Sequence, residues 1–292
     1  METLGFVGLG HMGAPMVQSL LRAGYRVRVY DVVPEAVHAL AAVGAIPADS
    51  PRSVTEAASV VFLMLQTGLQ VKSVCEGKDG IFQHILPEAL IVDCSSIDVE
   101  SARSLQHDAE ACGLRMLDAP VSGGVMAAEE ARLTFMVGGS HADFVVAEPY
   151  LQAMGKRIVY TGAGGSGVAA KICNNMILGV SMIAVSEAFH LAERLGLSAE
   201  KLFEVASNAS GQCWSLTQYC PWPNVLPNVP SSHEYKAGFT ANMMLKDLRL
   251  SQEAASSAGV VTPLGAHARE LYEQFVLQWG GQIDFSGIIQ ML

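Results

Sequence analysis

The sequence predicts two halves of different class: an α/β domain built on a parallel sheet, then an all-helical domain, joined by one long helix. Three observations carry this. Short apolar runs that end in glycines or polar turns recur through the first half. The rhythm stops after Tyr160, at the segment Thr161-Gly162-Ala163-Gly164-Gly165-Ser166-Gly167. Beyond it only helical periodicity remains, so the domains are expected at 1–163 and 164–292.

The first half opens with Leu4–Val7, a short apolar run suited to a buried parallel strand. Gly8-Leu9-Gly10-His11-Met12-Gly13 follows, and Pro15 and Gly24 bracket a helix of about ten residues on which Met16, Leu20 and Ala23 share a face. Val27–Tyr30 is a second strand with Asp31 at its carboxyl end, eighteen residues after Gly13. Strand, G-x-G-x-x-G, helix, strand and acid together predict a Rossmann-like dinucleotide site. The first glycine turns the chain, the second admits a pyrophosphate, and the third packs helix on strand. The helix N-terminus offers N–H donors to the phosphates. Asp31 suits two ribose hydroxyls and repels a 2′-phosphate, and no arginine follows in Val32-Val33-Pro34, which favours NAD over NADP.

Val60–Leu65 and Leu90–Cys94 read as further strands, ending in Gln66-Thr67 and Ser95-Ser96. Ligands of open parallel sheets lie beyond such carboxyl ends. Leu114–Leu117 and Thr134–Val137 flank Ser122-Gly123-Gly124, where a hydroxyl and backbone N–H groups can converge on an anion. A plain glycine turn is the other reading of that tripeptide. Ile158–Tyr160 is the last strand.

The second half starts with a helix from Val168 to about Leu195, about 28 residues and roughly 42 Å long at about 1.5 Å per residue. It is apolar on more than one face up to Glu187, so burial on several sides is expected. On it Lys171, Asn174 and Asn175 share a face, and no carboxylate lies nearer in sequence than Glu148 and Glu187. Desolvation and a neighbouring cationic ring would lower such a lysine's pKa and suit it to proton transfer; a lysine snorkelling near a helix start is the plainer reading. Helices follow at 199–207, 240–257 and 263–279, with Pro221, Pro223, Pro227 and Pro230 breaking the segment before the second. Trp214 and Trp222 are candidate pocket or core residues, and Lys246-Asp247 reads as an ordinary surface pair.

Composition narrows the function classes. Half of the 292 residues are hydrophobic, only 16% are charged, and the net charge is −10. That balance argues against nucleic-acid binding. Six cysteines without a C-x-x-C pair or zinc-like spacing suggest small buried hydrophobes in a reducing compartment. The strand-like start, with no signal peptide before it, and fifteen uncharged residues from Ile172 to Ser186, too few for a membrane span, suggest a cytoplasmic protein.

The stretches GFVGLGHMGAPM, DAPVSGG, LTFMVGG, AAKICNNM, SGQCWS and MLKDL, with the ending DFSGIIQML, run through the whole chain. Together they resemble the β-hydroxyacid dehydrogenases, and most closely the 3-hydroxyisobutyrate branch. The resemblance implies a Rossmann-like NAD-binding domain and an all-helical domain for substrate and oligomerisation. It implies that Gly8, Leu9, Gly10, His11, Met12, Gly13, Asp31, Leu65, Gln66, Gln70 and Ser96 line the NAD groove. Lys171 falls on the catalytic lysine, Asn175 on the asparagine that orients the substrate, Ser122, Gly123 and Gly124 on the carboxylate loop, and Lys246 at both cofactor and substrate. The implied activity is NAD-dependent oxidation of 3-hydroxyisobutyrate to methylmalonate semialdehyde, a step of valine catabolism, by a homodimer or homotetramer. L-serine, 3-hydroxypropionate or tartronate semialdehyde are alternative substrates, and a non-catalytic NAD-binding protein is the remoter alternative. His11, Gln66 and Ala131 depart from the family pattern of Asn or Arg, Pro, and Gly.

Overall fold

The structure, a computed structural model, describes residues 2–292. It divides into two compact units, the first ending at Lys171 and the second running Ile172–Leu292, so the division falls inside the long helix.

In the first unit one sheet holds β1 (Thr3–Val7), β2 (Arg26–Tyr30), β3 (Ile46–Pro47), β4 (Ala58–Leu63), β5 (Leu90–Asp93), β6 (Arg115–Asp118), β7 (Val121–Ser122), β8 (Leu133–Gly138) and β9 (Gly155–Gly162). Strands β3-β2-β1-β4-β5-β6 lie side by side in that order and all parallel, the doubly wound arrangement expected from the first strand pair onward. The chain then crosses over. Ala119 still donates to the Asp93 carbonyl of β5, whereas the Pro120 carbonyl accepts from Met136 of β8. Proline has no N–H to continue the ladder, so β6 stops and β7 resumes antiparallel to β8, with β9 parallel to β8 outside it.

Residues of β1, β4 and β5 are buried almost throughout, as continuous apolar runs in a covered parallel sheet must be. Phe6 stacks on Phe62 at 5.9 Å within a core that also takes Met16, Val17 and Leu20 from α1 (Gly13–Arg22). Each such side chain is worth about 1.5–3 kcal/mol on burial. Ala23 is exposed, because the helix ends at Arg22. The other connections are α2 (Pro34–Ala41), α3 (Pro51–Val54), α4 (Gly68–Glu76), α5 (Val99–Ala111), α6 (Gly124–Glu129) and α7 (His141–Met154). Ala131 takes φ +52°, the left-handed region where glycine is the easy choice.

The long helix α8 spans Ser166–Arg194. By length and composition it could cross a membrane, which the fifteen-residue count did not suggest. It is not buried on several sides within the chain. Its buried residues, among them Val168, Lys171, Asn175, Met182, Ser186 and Phe189, follow helical spacing along one stripe, while Ile177 and Leu191 are exposed. The second unit continues with α9 (Ala199–Ala206), α10 (Trp214–Thr217), α11 (Ala241–Ser257) and α12 (Pro263–Trp279). Met182, Met244, Leu248, Tyr272, Phe275 and Phe285 form its main core, and a Cβ on Gly179 would press on Leu248 and Met244. The proline-rich segment is turns, apart from α10 and a single 3-10 turn at Pro230–Ser232.

Candidate functional site

The ends of β1, β2, β4 and β5 are laced together by the residues the sequence singled out. Gly8 takes φ +95°, and a Cβ there would lie 2.3 Å from the Met64 carbonyl oxygen. A Cβ on Gly13 would lie 1.9 Å from the Gly8 carbonyl, so glycine is what lets α1 start against the turn. A Cβ on Gly10 would meet no protein atom within 4 Å. The fold itself thus leaves open space at Gly10, room that a pyrophosphate against the backbone would use. No side chain caps the first turn of α1, so its N–H groups remain suited to an anion.

Asp31 is aimed by the same loop. Its Oδ2 accepts from the Leu9 N–H at 2.6 Å and its Oδ1 from the Val33 N–H at 2.9 Å. Beside it a cavity of about 620 Å³ is lined by Arg28, Tyr30, His38, Asp49 and Glu56. Arg28 is ion-paired with Glu56, and the hydroxyls of Ser53 and Ser50 hold the Asp49 carboxyl below the ordinary range. These surroundings suit ribose hydroxyls and oppose a 2′-phosphate.

On the β4 side the Leu65 N–H donates to Ser95 Oγ at 2.9 Å, tying the end of β4 to that of β5. The Gln66 N–H donates to Gln70 Oε1 at 3.0 Å, a bond that the proline usual there could not make. Thr67 caps α4, and Ser96 and His11 lie in the loops that follow β5 and β1. Ser122 ends β7, and Gly123 and Gly124 follow with φ +135° and +70°, a backbone that only glycine holds without strain.

Two aspartates at neighbouring strand ends were not flagged by the sequence. Asp93 and Asp118 are register partners on β5 and β6, and each is 2% exposed. Asp118 Oδ1 accepts from Gln106 Nε2 at 2.7 Å and from the Gly165 N–H at 2.8 Å; its Oδ2 accepts from the Val168 N–H at 2.8 Å. Asp93 accepts from the Ser95 N–H at 2.9 Å. Burial, and then the Asp118 carboxylate, push Asp93 up to about 6 against the pull of its Ser95 bonds.

Lys171 is 9% exposed on α8, one turn beyond Val168. In the second unit Asn175, 1% exposed, donates its amide to Asp247 and accepts from Asn174 Nδ2 at 2.9 Å. Lys246 and Asp247 are not a surface pair: Asp247 is 6% exposed and orients Asn175, and Lys246 is half-buried. Burial lowers the Lys246 pKa while Asp247 acts in the opposite sense. Trp222 stacks on Phe189 and lines a groove with Glu193 and Glu200, whereas Trp214 stacks on Tyr219 with half its surface exposed. The cysteines are not uniformly buried, since Cys112 and Cys173 are exposed. No cluster of metal-ligating side chains occurs among the described residues.

Comparison with known proteins agrees in both halves. Residues 3–162 match the NAD-binding domain of 6-phosphogluconate dehydrogenase, and residues 165–292 match the NAD-binding model of NADP-dependent 3-hydroxyisobutyrate dehydrogenase. An NAD-dependent L-serine dehydrogenase of Pseudomonas aeruginosa is 44% identical, covering 100% of this chain and 98% of its own. The human mitochondrial 3-hydroxyisobutyrate dehydrogenase is 40% identical over 99% of this chain and 86% of its own. A structure of 3-hydroxyisobutyrate dehydrogenase from Mycobacterium tuberculosis with L-serine superposes with a TM-score of 0.95 at 43% identity, covering 100% and 99% of the two chains.

The Asp93 environment has a measurable consequence. Folding binds this proton more tightly than the unfolded chain does, so the Asp93 contribution to stability is fully present below the ordinary value of 3.8 and is lost as pH rises toward about 6. The loss amounts to roughly 3 kcal/mol. Asp93→Asn, which mimics the protonated carboxyl, should remove the decline and melt later than the parent at pH 7.5. Urea denaturation at pH 4, 5 and 7.5 checks this; parallel pH profiles for the two proteins would contradict it.

Proposed function

Because the chain belongs to the β-hydroxyacid dehydrogenase family, in which it matches 3-hydroxyisobutyrate dehydrogenases end to end, we propose that it oxidises 3-hydroxyisobutyrate to methylmalonate semialdehyde. That full-length match is the observation that supports the reading most. NAD, when bound, supplies the ring that accepts hydride from carbon 3 of the substrate. The Gly8–Gly13 turn and the start of α1 would hold the cofactor's pyrophosphate, and Asp31 its adenosine ribose. Leu65, Gln66, Gln70, Ser96 and Lys246 would contribute the other cofactor contacts. Ser122, Gly123 and Gly124 hold the substrate carboxylate, and Asn175, its amide fixed by Asp247, orients the substrate. Neutral Lys171 accepts the hydroxyl proton as the carbonyl forms, and protonated Lys171 returns it in the reverse direction.

A second substrate has specific support. L-serine carries the same hydroxymethyl and carboxylate groups with an ammonium where hydroxyisobutyrate has a methyl, and two of the matched relatives are named for it or hold it. The enzyme's expected place is the cytoplasm. We also propose self-association as a dimer or tetramer, supported by exposed Ile177, Leu191, Leu264 and Leu277 in the second unit. Light scattering at micromolar concentration should give a multiple of 31.0 kDa, and a monomer would refute this.

Lys171→Met should abolish turnover while leaving NADH binding, read by fluorescence titration, within about threefold of the parent. Near-parental turnover would remove the lysine from the mechanism. Steady-state kcat/KM for oxidation of 3-hydroxyisobutyrate, L-serine, 3-hydroxypropionate and glycerate, the hydroxy acid whose oxidation gives tartronate semialdehyde, should rank 3-hydroxyisobutyrate first. NAD should exceed NADP by at least about tenfold, as a like-charge contact with Asp31 requires. A higher value for serine would move the substrate assignment alone, and equal use of both cofactors would overturn the role of Asp31.

A further inference from the structure

The start of α8 is held from far away. A helix that only needs to form takes a Ser, Thr or Asp cap from the residue before it, worth about 1 kcal/mol. Here the Gly165 and Val168 N–H groups donate to Asp118, a residue on β6 roughly fifty positions earlier. Gln106 of α5 supplies a third donor. Two glycines clear the seat. A Cβ on Gly138 would lie 2.5 Å from Asp118 Oδ1, and one on Gly167 would lie 2.9 Å from Asp118 Oδ2 and 2.2 Å from the Met136 carbonyl.

This arrangement is unfavourable for stability alone. It buries a carboxylate, and places it in register with a second buried carboxylate on β5. Gly165, the residue before the helix, has no side chain with which to cap it, and Ser166 Oγ bonds Thr161 Oγ1 at 2.8 Å. What a local cap could not do is locate the helix on the sheet. Asp118 does so from a telling position, because four residues later the chain reaches Ser122 at the end of β7 and then Gly123-Gly124.

We propose that Asp118 is a positioning residue that sets the distance between Lys171 and the Ser122-Gly123-Gly124 loop, and so between the proton acceptor and the substrate carboxylate. The proposal rests on the roles assigned above to Lys171 and that loop. One side of the Asp118 carboxyl holds Val168, one turn before the lysine; its backbone leads into the loop. Substrate held by its carboxylate then presents its hydroxyl to Lys171 only if that span is fixed. A displacement of about 1 Å costs on the order of 100-fold in rate.

Asp118→Asn preserves size but turns one acceptor oxygen into a donor that faces other donors. With either 3-hydroxyisobutyrate or L-serine, kcat should fall about 10- to 100-fold while KM and NADH affinity stay within about threefold. The primary isotope effect with substrate deuterated at carbon 3 should rise as chemistry becomes limiting. Gln106→Leu, which leaves both helix bonds intact, should show the same pattern at about three- to tenfold. A folded Asp118→Asn enzyme with kcat within twofold of the parent and an unchanged isotope effect overturns the proposal. If that variant does not fold, parental kcat in Gln106→Leu overturns it. Lys171→Met measured alongside separates the two levels: if it retains turnover, the lysine assignment fails whatever Asp118 does; if it is inactive while Asp118→Asn is not, only the positioning role fails.

Discussion

A carboxylate kept from water must be surrounded by donors, and at Asp118 those donors come from two separate stretches of chain. Gln106 comes from α5, and Gly165 and Val168 from the start of α8, while the aspartate itself ends β6. Satisfying one buried group therefore brings together the end of the sheet, a flanking helix and the helix that bears Lys171. The glycines at 138 and 167 have their reason in the same contact, since either side chain would occupy the carboxylate's place. The neighbouring Asp93, through its own burial first and the Asp118 charge second, stays closer to its neutral form than an exposed aspartate would.

Much of this was legible in the sequence, because local signals carried it. The apolar runs gave the main strands, and Gly8 and Gly13 have steric reasons within the fold, while a Cβ on Gly10 would meet no protein atom within 4 Å. The two-residue strands β3 and β7 escaped notice because they are too short for alternation to show, and each abuts or contains a proline-bearing segment. Asp118 was missed, and Asp247 misread as a surface partner of Lys246, for another reason. Their partners lie tens of residues away, at Val168 and at Asn175, so no window of sequence contains both ends of either contact. The burial of α8 was overestimated because apolar composition does not say whether a face meets its own chain.

The same limit governs substrate choice. Hydroxymethyl and carboxylate groups are shared by hydroxyisobutyrate and serine, and the proton transfer and hydride loss are identical for both. What separates a methyl from an ammonium at carbon 2 is a difference of a few contacts, the kind worth about 1–3 kcal/mol when apolar and more when a buried polar group is left unpaired. Relatives at nearly the same identity to this chain, 44% and 43%, carry different substrate names.

Ala131 shows the opposite situation, a position where the backbone asks for one residue and the sequence has another. Its left-handed conformation costs a side-chain-bearing residue on the order of 1–2 kcal/mol, of which the extra freedom glycine brings to the unfolded chain returns only part. The residue sits two positions ahead of β8, the strand with which Val121 and Ser122 pair, yet it belongs to no proposed ligand contact. Heat resistance and activity are therefore separable at this codon. A selection for survival at raised temperature has here a single-step route that leaves the chemistry alone.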